Sequence, residues 1–573
     1  MAERPDTGVK MKTVNRYSSI LFTVFLALLF CSCGLSAQID TRETSSHQEQ
    51  KVVQPATEPE PPAESGSVWR SFLWEALPAQ WLRSPTHSVV VEAYQQNGWI
   101  PCFITARFEL NDNAAVLLEN LDDLETRAID PRPYKLDELR QKIQSLGAMR
   151  SSAPTSGHAG AAQPQPPFDP ETHKALYQAA AELDILLAGV FVRYCTEMDP
   201  FSGESQALAL SGQVPMGHYL SERVPASPHY EPLLRALARY RKMAAETAHH
   251  PVRTASSLRS GHSGTEVRDL QKRLHQEDFY HGKITGVFDA ATLQAVRQFQ
   301  ASHNLDADGV VGGRTLEWLN VSYKAKSEMI ASSITALRQS QTRRNERYVR
   351  INIPQFMLEY YRDGRPQSLH RVIVGKSSGK KIKVKGRWVG ENQTPVLASS
   401  IEQVVINPRW YVSDRIRLEL NQMASSDPEY FTRHGYVRMN STHPWGEPRL
   451  FQRPGPTNPL GRIKFEFPND YAVYLHDTPK KQLFQRSRRD FSHGCIRVEK
   501  ADVLAEILLK DDANPAAEKA ASYLSNERQV FIRLTDPVPI IIEYLPVGSN
   551  DGGQVIFFGD PYGWLSEKTN PRT

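Results

Sequence analysis

The chain has 573 residues, a formal net charge of +4, and 40% hydrophobic and 23% charged residues. That length exceeds what one hydrophobic core serves, so about three domains are expected, and the apolar and charged fractions are those of ordinary globular protein. The small net charge, with no basic stripe interleaved with aromatics, argues against nucleic acid as a partner.

The N-terminus is distinctive. Lys10, Lys12 and Arg16 precede the apolar run ILFTVFLALLF (20–30), and CSCGLSAQ comes after it. A basic start, a short apolar core and small residues read as an export signal. Tyr17 to Leu35 is just long enough to serve instead as a retained anchor. Two processing points compete: Ser32–Cys33 resembles a lipoprotein box, and Leu35-Ser36-Ala37 an ordinary signal-peptidase site. Residues 1–37 are therefore expected as a signal peptide or membrane anchor, and 38–66, polar and Pro-rich, as a linker.

Export changes the meaning of the five cysteines, because thiols outside the cytosol tend to oxidise. Cys31 and Cys33 belong to the signal region. Cys102 and Cys195 share one region and can pair with each other, which the sequence leaves open. Cys495 is then the odd thiol out.

Residues 67–255 carry helical periodicity in LLENLDDLETRAI, ALYQAAAELDILLAGVFVRYC and YEPLLRALARYRKMAAE. They predict a helical scaffold domain, interrupted near 151–167 by the Gly, Ala and Pro-rich SSAPTSGHAGAAQPQPP, expected as a disordered loop. The scattered His and acidic residues of this region read as solvated surface.

In 258–320, Val267, Leu270 and Leu274 mark one short amphipathic helix, and Leu293, Val296 and Phe299 a second. Gly286 and Asp289 make a turn between them, Thr292 opens the second helix, and Gly309, Gly312 and Gly313 close the unit. The pieces LRSGHSGTEVRDLQKRL, GVFDAATLQAVRQFQ and DGVVGGRTL resemble the peptidoglycan-binding type 1 domain over nearly its full length. The resemblance implies a three-helix module; whether the module binds glycan or serves as scaffold stays open.

From 348 the texture changes to strands: YVRINIPQFMLEYY, LHRVIVGK, IKFEFP, YAVYLHD and QVFIRL. Between the early and late strands lies an aromatic-rich interruption, roughly 408–450, with helical spacing in its first half. Such an insert in a β domain usually becomes a lid or subdomain beside a site.

Within the late strands sits FSHGCIRVE (491–499). Metal binding needs three or four ligands, and His493, His476 and Asp477 beside one Cys make a poor set. A buried structural Cys is the common fate of a lone thiol. Here Ser492, His493, Gly494 and Arg497 are polar, flexible or charged, which favours a thiolate environment. A Cys nucleophile also needs a base and oxyanion donors. His476 and His493 are both candidates on spacing alone, and Gly494 fits a turn exposing backbone N–H groups.

HDTP at 476–479, with SHGCIR after it at 492–497, resembles the signature of the YkuD-type L,D-transpeptidases. The longer stretch NPLGRIKFEFPNDYAVYLHDTPKKQLFQRSRRDFSHGCIRVEKA is similar to the larger, periplasmic members, which also carry a helical scaffold, a peptidoglycan-binding module and a lid. The resemblance covers most of the chain beyond residue 67. It implies a multidomain α+β fold: a helical scaffold, the 258–320 module, and a β-rich catalytic domain over 345–540 with its lid, then a C-terminal tail, 541–573. It makes Cys495 the nucleophile and His476 the base, oriented by the Asp477 carbonyl. The amides around Gly494 and Cys495 stabilise the oxyanion, His493 and Gly494 shape the site, Arg497 holds site or substrate, and Ser492 with His493 and Arg497 is expected to bind substrate. It implies acyl transfer from a tetrapeptide stem to a diamino-acid amine, giving 3→3 cross-links, without metal or organic cofactor. Water or a lysine of an outer-membrane lipoprotein are alternative acceptors, and a membrane tether fits the N-terminus.

Overall fold

The computed structural model describes residues 67–565, apart from 82–83, 85–86, 154–167, 204, 249, 341–346, 428 and 440–448. The expected signal or anchor, the linker, Cys31 and Cys33 lie outside the described residues. So does most of the insert expected at 151–167, at whose edge the helix Leu136–Ser152 ends.

The helical region is built on α1 (Lys174–Met198). By length and composition α1 could cross a membrane, but here it is the central helix of a core, with Leu183, Leu187, Ala188 and Phe191 fully buried. Asp184, on the same helix, corrects the expectation that acidic residues of this region are solvated. It is buried and accepts hydrogen bonds from the Cys102 and Phe103 N–H groups at 2.9 and 2.7 Å and from the Tyr94 hydroxyl at 2.5 Å. Burial lifts its pKa to about 6. Cys102 and Cys195 are buried, unpaired thiols.

A second long helix, α2 (Tyr230–Glu246), leads to three short ones, α3 (Thr265–Gln276), α4 (Ala290–Ser302) and α5 (Gly313–Leu319). The first two form where the apolar spacing puts them, burying Val267, Leu270 and Leu274 of α3 and Val296 and Phe299 of α4 in one cluster. Asp289 caps α4 by accepting the Thr292 N–H at 2.8 Å. Next comes α6 (Tyr323–Gln339), whose Lys326 donates to both carboxylate oxygens of Glu277 at 2.8 and 2.6 Å. Arg273 reaches the same carboxylate at 3.0 Å, and the Tyr240 hydroxyl of α2 donates to it at 3.0 Å. All three charges are buried. This cluster ties α2, the α3–α5 unit and α6 together, and Phe557 near the C-terminus stacks on His303 beside it with ring centres 5.1 Å apart.

Residues 347–543 form a nine-stranded sheet. Its strands are β1 (Arg347–Asn352), β2 (Met357–Arg362), β3 (Arg365–Gly375), β4 (Leu397–Ile406), β5 (Ile463–Glu466), β6 (Leu475–His476), β7 (Asp490–Ser492), β8 (Ile496–Val498) and β9 (Val530–Glu543). The order is β7-β3-β8-β6-β5-β4-β9-β1-β2, and β2 pairs back onto β3, so the ladder closes on itself. Its interior is apolar, with Ile351, Val404, Phe465, Leu475 and Ile496 fully buried in one cluster with Leu504 and Leu508 of the helix Ala501–Asp511.

The interruption between β4 and β5 contains α7 (Asp414–Ala424), a short helix Tyr430–Arg433, and a three-stranded sheet of Trp410–Tyr411, Arg449–Gln452 and Tyr436–Met439. It has its own small core around Trp410, Leu420, Leu450 and Leu460. The described part of the segment expected as a tail from 541, up to 565, has regular structure. It completes β9, then pairs Val547–Ser549 with Val555–Phe557, and both strands pack on α2 and α6.

Removing the carboxylate of Glu277 leaves Arg273 and Lys326 buried without their counter-charge. Glu277→Ala should therefore cost about 3–5 kcal/mol, read from the shift of the urea unfolding curve. A change below about 1 kcal/mol would mean that water reaches the cluster and screens the charges.

Candidate active site

The site grows from one strand pair. β6 and β8 run parallel with Leu475 opposite Ile496 and His476 opposite Arg497, and β5 sets Lys464 opposite His476. Successive strand residues face opposite sides. Because Ile463, Phe465, Leu475, Ile496 and Val498 all enter the core, Lys464, His476 and Arg497 line up on the other face. Tyr474 and Cys495, one residue ahead of the Leu475–Ile496 pair, share that face.

His476 is buried, and its Nδ1 lies 2.5 Å from the Asp477 carbonyl oxygen. A carbonyl only accepts, so Nδ1 carries the proton and Nε2 presents its lone pair. Asp477 is itself pinned: its carboxylate accepts the Arg462 N–H at 2.9 Å and pairs with Lys481, and its own N–H donates to the Ile463 carbonyl at 2.8 Å. Burial, with Arg497 and Lys464 nearby, lowers the His476 pKa to about 3. The imidazole is neutral at rest.

Cys495 is half-buried. The Tyr474 N–H and hydroxyl, Lys464 and Arg497 all favour its thiolate, yet desolvation outweighs them and pushes its pKa up. This corrects the reading of the motif as a thiolate environment: cations in the sequence neighbourhood do not compensate for burial.

The turn before Cys495 is stitched by Ser492, whose hydroxyl donates to the Cys495 carbonyl at 2.5 Å and accepts the Gly494 N–H at 3.1 Å. Two expectations change here. Ser492 is buried with its hydroxyl committed to the turn that carries Cys495, so it is not presented outward as a substrate contact. The Gly494 amide is likewise engaged, which leaves the Cys495 N–H as the amide available from this turn. Gly494 has φ +116°, a conformation that side-chain-bearing residues rarely adopt.

Arg497 makes no ion pair with a carboxylate among the described residues, and its Nε is buried without a hydrogen-bond partner. His493 points toward the insert, with Nε2 3.7 Å from a Glu419 carboxylate oxygen on α7. The insert also packs on Tyr474. Of the seven residues expected at the site, six lie on the strand pair or its turn, and Asp477 directly follows β6. Tyr474 and Lys464, whose ammonium sits 4.2 Å from the Tyr474 ring centre, were not expected. Tyr474 was legible, since it stands two residues before His476 in the alternating run YAVYLHD. Among the described residues no group of three His, Cys, Asp or Glu is arranged to hold a metal ion.

Residues 346–538 match the family described as "L,D-transpeptidase catalytic domain" (YkuD), and residues 263–319 the "Putative peptidoglycan binding domain". The chain carries a YkuD L,D-transpeptidase catalytic domain. A Haemophilus influenzae protein named "Putative L,D-transpeptidase" is 33% identical over 229 residues, covering 37% of this chain and 44% of that protein. A Bacillus cereus "Spore cortex-lytic enzyme" is 42% identical over 62 residues, 11% of this chain and 24% of that one. The chain therefore spans less than half of the length of either relative. A crystal structure of an L,D-transpeptidase from Xylanimonas cellulosilytica covers 51% of this chain and 98% of its own at 19% identity, with a TM-score of 0.17, too low to bear on the fold.

With a neutral thiol beside a neutral imidazole, the L,D-transpeptidase domain should react slowly with iodoacetamide at neutral pH. Alkylation of Cys495 should accelerate only above the ordinary thiol value of about 8.5. A resting thiolate–imidazolium pair would instead keep its reactivity down to about pH 4. A pH–rate profile with peptide mapping of the modified cysteine separates the two.

Proposed function

We propose that this protein is a peptidoglycan L,D-transpeptidase that joins stem peptides by 3→3 cross-links through a thioester on Cys495, acting in the periplasm during wall biogenesis and remodelling. The observation that carries the reading is the pairing of the strand bearing His476, its Nδ1 held by the Asp477 carbonyl, with the strand that begins just after Cys495. It lies inside a domain matched to L,D-transpeptidases.

Cys495 Sγ attacks the carbonyl of the diamino acid in a tetrapeptide donor stem. His476 Nε2 takes the thiol proton as the C–S bond forms, because prior ionisation of a raised thiol to a lowered imidazole is uphill. The Cys495 N–H meets the oxyanion. The intermediate collapses, the terminal D-Ala leaves as an amine with the proton from His476, and the thioester remains. The side-chain amine of a second stem then attacks, His476 removes its proton, and Cys495 departs as the thiol. Arg497 is suited to a stem carboxylate, which would also offset the cation that lowers His476 and raise its basicity. Water or a lipoprotein lysine in place of the stem amine gives a carboxypeptidase or a protein anchor. The helical module would keep the enzyme against the wall.

Cys495→Ala should abolish formation of cross-linked dimer from purified disaccharide tetrapeptide, and His476→Ala should slow acylation about 10²- to 10⁴-fold, far more than His493→Ala. Dimer formed by folded Cys495→Ala protein would refute the assignment.

The insert from Trp410 to Gln452, with its own core and its contacts to His493 and Tyr474, acts as a lid over the thioester. Excluding water favours transfer over hydrolysis. A folded variant shortened within the insert should release more tripeptide relative to dimer by chromatography; an unchanged ratio with normal acylation excludes the lid.

A further inference from the structure

The turn that carries Cys495 is held from outside by residues that no motif includes. The Gly494 carbonyl accepts a hydrogen bond from Thr394 Oγ1 at 2.8 Å, and the same Oγ1 accepts the Gly375 N–H at 2.9 Å. The Thr394 N–H donates to the Tyr562 hydroxyl at 3.1 Å, which in turn donates to the Gly375 carbonyl at 2.9 Å. Each hydroxyl therefore donates once and accepts once, and both side chains are buried. The ring of bonds leaves no room: a Cβ on Gly375 would lie 2.0 Å from the Asn392 carbonyl oxygen.

Tyr562 is held in its turn. Its N–H donates to the Tyr544 hydroxyl at 3.0 Å, and its ring packs against those of Tyr544 and Trp564, with centres 5.7 and 5.3 Å away. Asp560 accepts the Tyr544 hydroxyl and the Trp564 and Leu565 N–H groups. Trp564 Nε1 donates to Gln393 at 3.2 Å, beside Thr394.

We propose that Thr394 and Tyr562 are positioning residues for acyl transfer, and that the C-terminal segment 544–565 is part of the active site's framework. The proposal rests on the reading of Cys495 as the nucleophile. The Gly494 carbonyl and the Cys495 N–H belong to one planar trans peptide and point in opposite directions. Fixing the carbonyl on Thr394 therefore fixes the direction of the N–H that meets the oxyanion. Without the Thr394 hydroxyl, a turn with a glycine at φ +116° is free to rotate that peptide.

The test compares two reactions of the full chain at Cys495: acylation by a carbapenem, which develops an oxyanion, and alkylation by iodoacetamide, which does not. Thr394→Val keeps the shape and removes the hydroxyl, and should slow acylation about 10- to 100-fold, the scale of a misplaced catalytic group, while alkylation stays within about 3-fold of wild type. Thr394→Ser should restore acylation, and Tyr562→Phe should slow it in the same selective way. Equal loss of both reactions, or no loss of acylation in Thr394→Val, overturns the proposal while leaving the nucleophile assignment intact. Wild-type protein that takes no carbapenem on Cys495 overturns the site reading and this proposal together.

Discussion

The site depends on the register of two very short strands. β6 and β8 pair over Leu475–Ile496 and His476–Arg497, and the side-chain period of two then decides everything else. Leu475 and Ile496 must enter the core, so His476, Arg497, Tyr474 and Cys495 must share the opposite face. A slip of one residue would turn His476 into the apolar core and Leu475 onto the opposite face. Such short strands could not fix that register by themselves. They are held between β5 and β3 in a ladder with no free edge along that run.

That placement has an electrostatic consequence. A face packed closely enough to orient His476 also removes water from it, and two cations flank it on the neighbouring strands. Both effects favour the neutral ring, and the same burial keeps the thiol protonated. Cys495 and His476 are therefore both uncharged at rest, though Lys464 and Arg497 beside them are cationic. Arg497, half-buried and without a carboxylate partner among the described residues, is where an anionic group would restore balance; on the proposed function, an acidic stem bound there would raise the basicity of His476.

The pattern of residues was informative where structure is local. The strands around 348–376 and 463–477, the two amphipathic helices of the 258–320 unit with the Asp289 cap, and the nucleophile motif all rest on neighbours within a few positions. What the sequence hid is long-range. Asp184 looks like a surface acid until Cys102 and Phe103 are brought to it from far along the helical region. The charges beside Cys495 read as thiolate stabilisers because sequence carries no measure of desolvation. Ser492 reads as a substrate contact because only the folded turn aims its hydroxyl back at Cys495 and Gly494. The C-terminal residues carry no periodic signal at all, since Tyr562 acts through hydrogen bonds to Thr394 and Gly375, which are remote in the chain.

Those distant contacts answer a mechanical problem. A short turn with one residue at positive φ has few bonds of its own, and Ser492 supplies two of them. A nucleophile that is also to present its own N–H must have both its sulfur and its peptide plane fixed. The strand pair fixes the chain on the C-terminal side of Cys495, through the Ile496 N–H on the Tyr474 carbonyl at 3.1 Å. Thr394 fixes the chain on the N-terminal side, through the Gly494 carbonyl. The insert approaches from the side of His493 and Tyr474, while the segment through Tyr562 buttresses the side of Gly375 and Thr394. One side is thus met by a subdomain with its own small core, and the other by buried hydrogen bonds from Thr394 and Tyr562. Under the proposed acyl transfer, the buttressed side would aim the reacting groups and the subdomain would cover them.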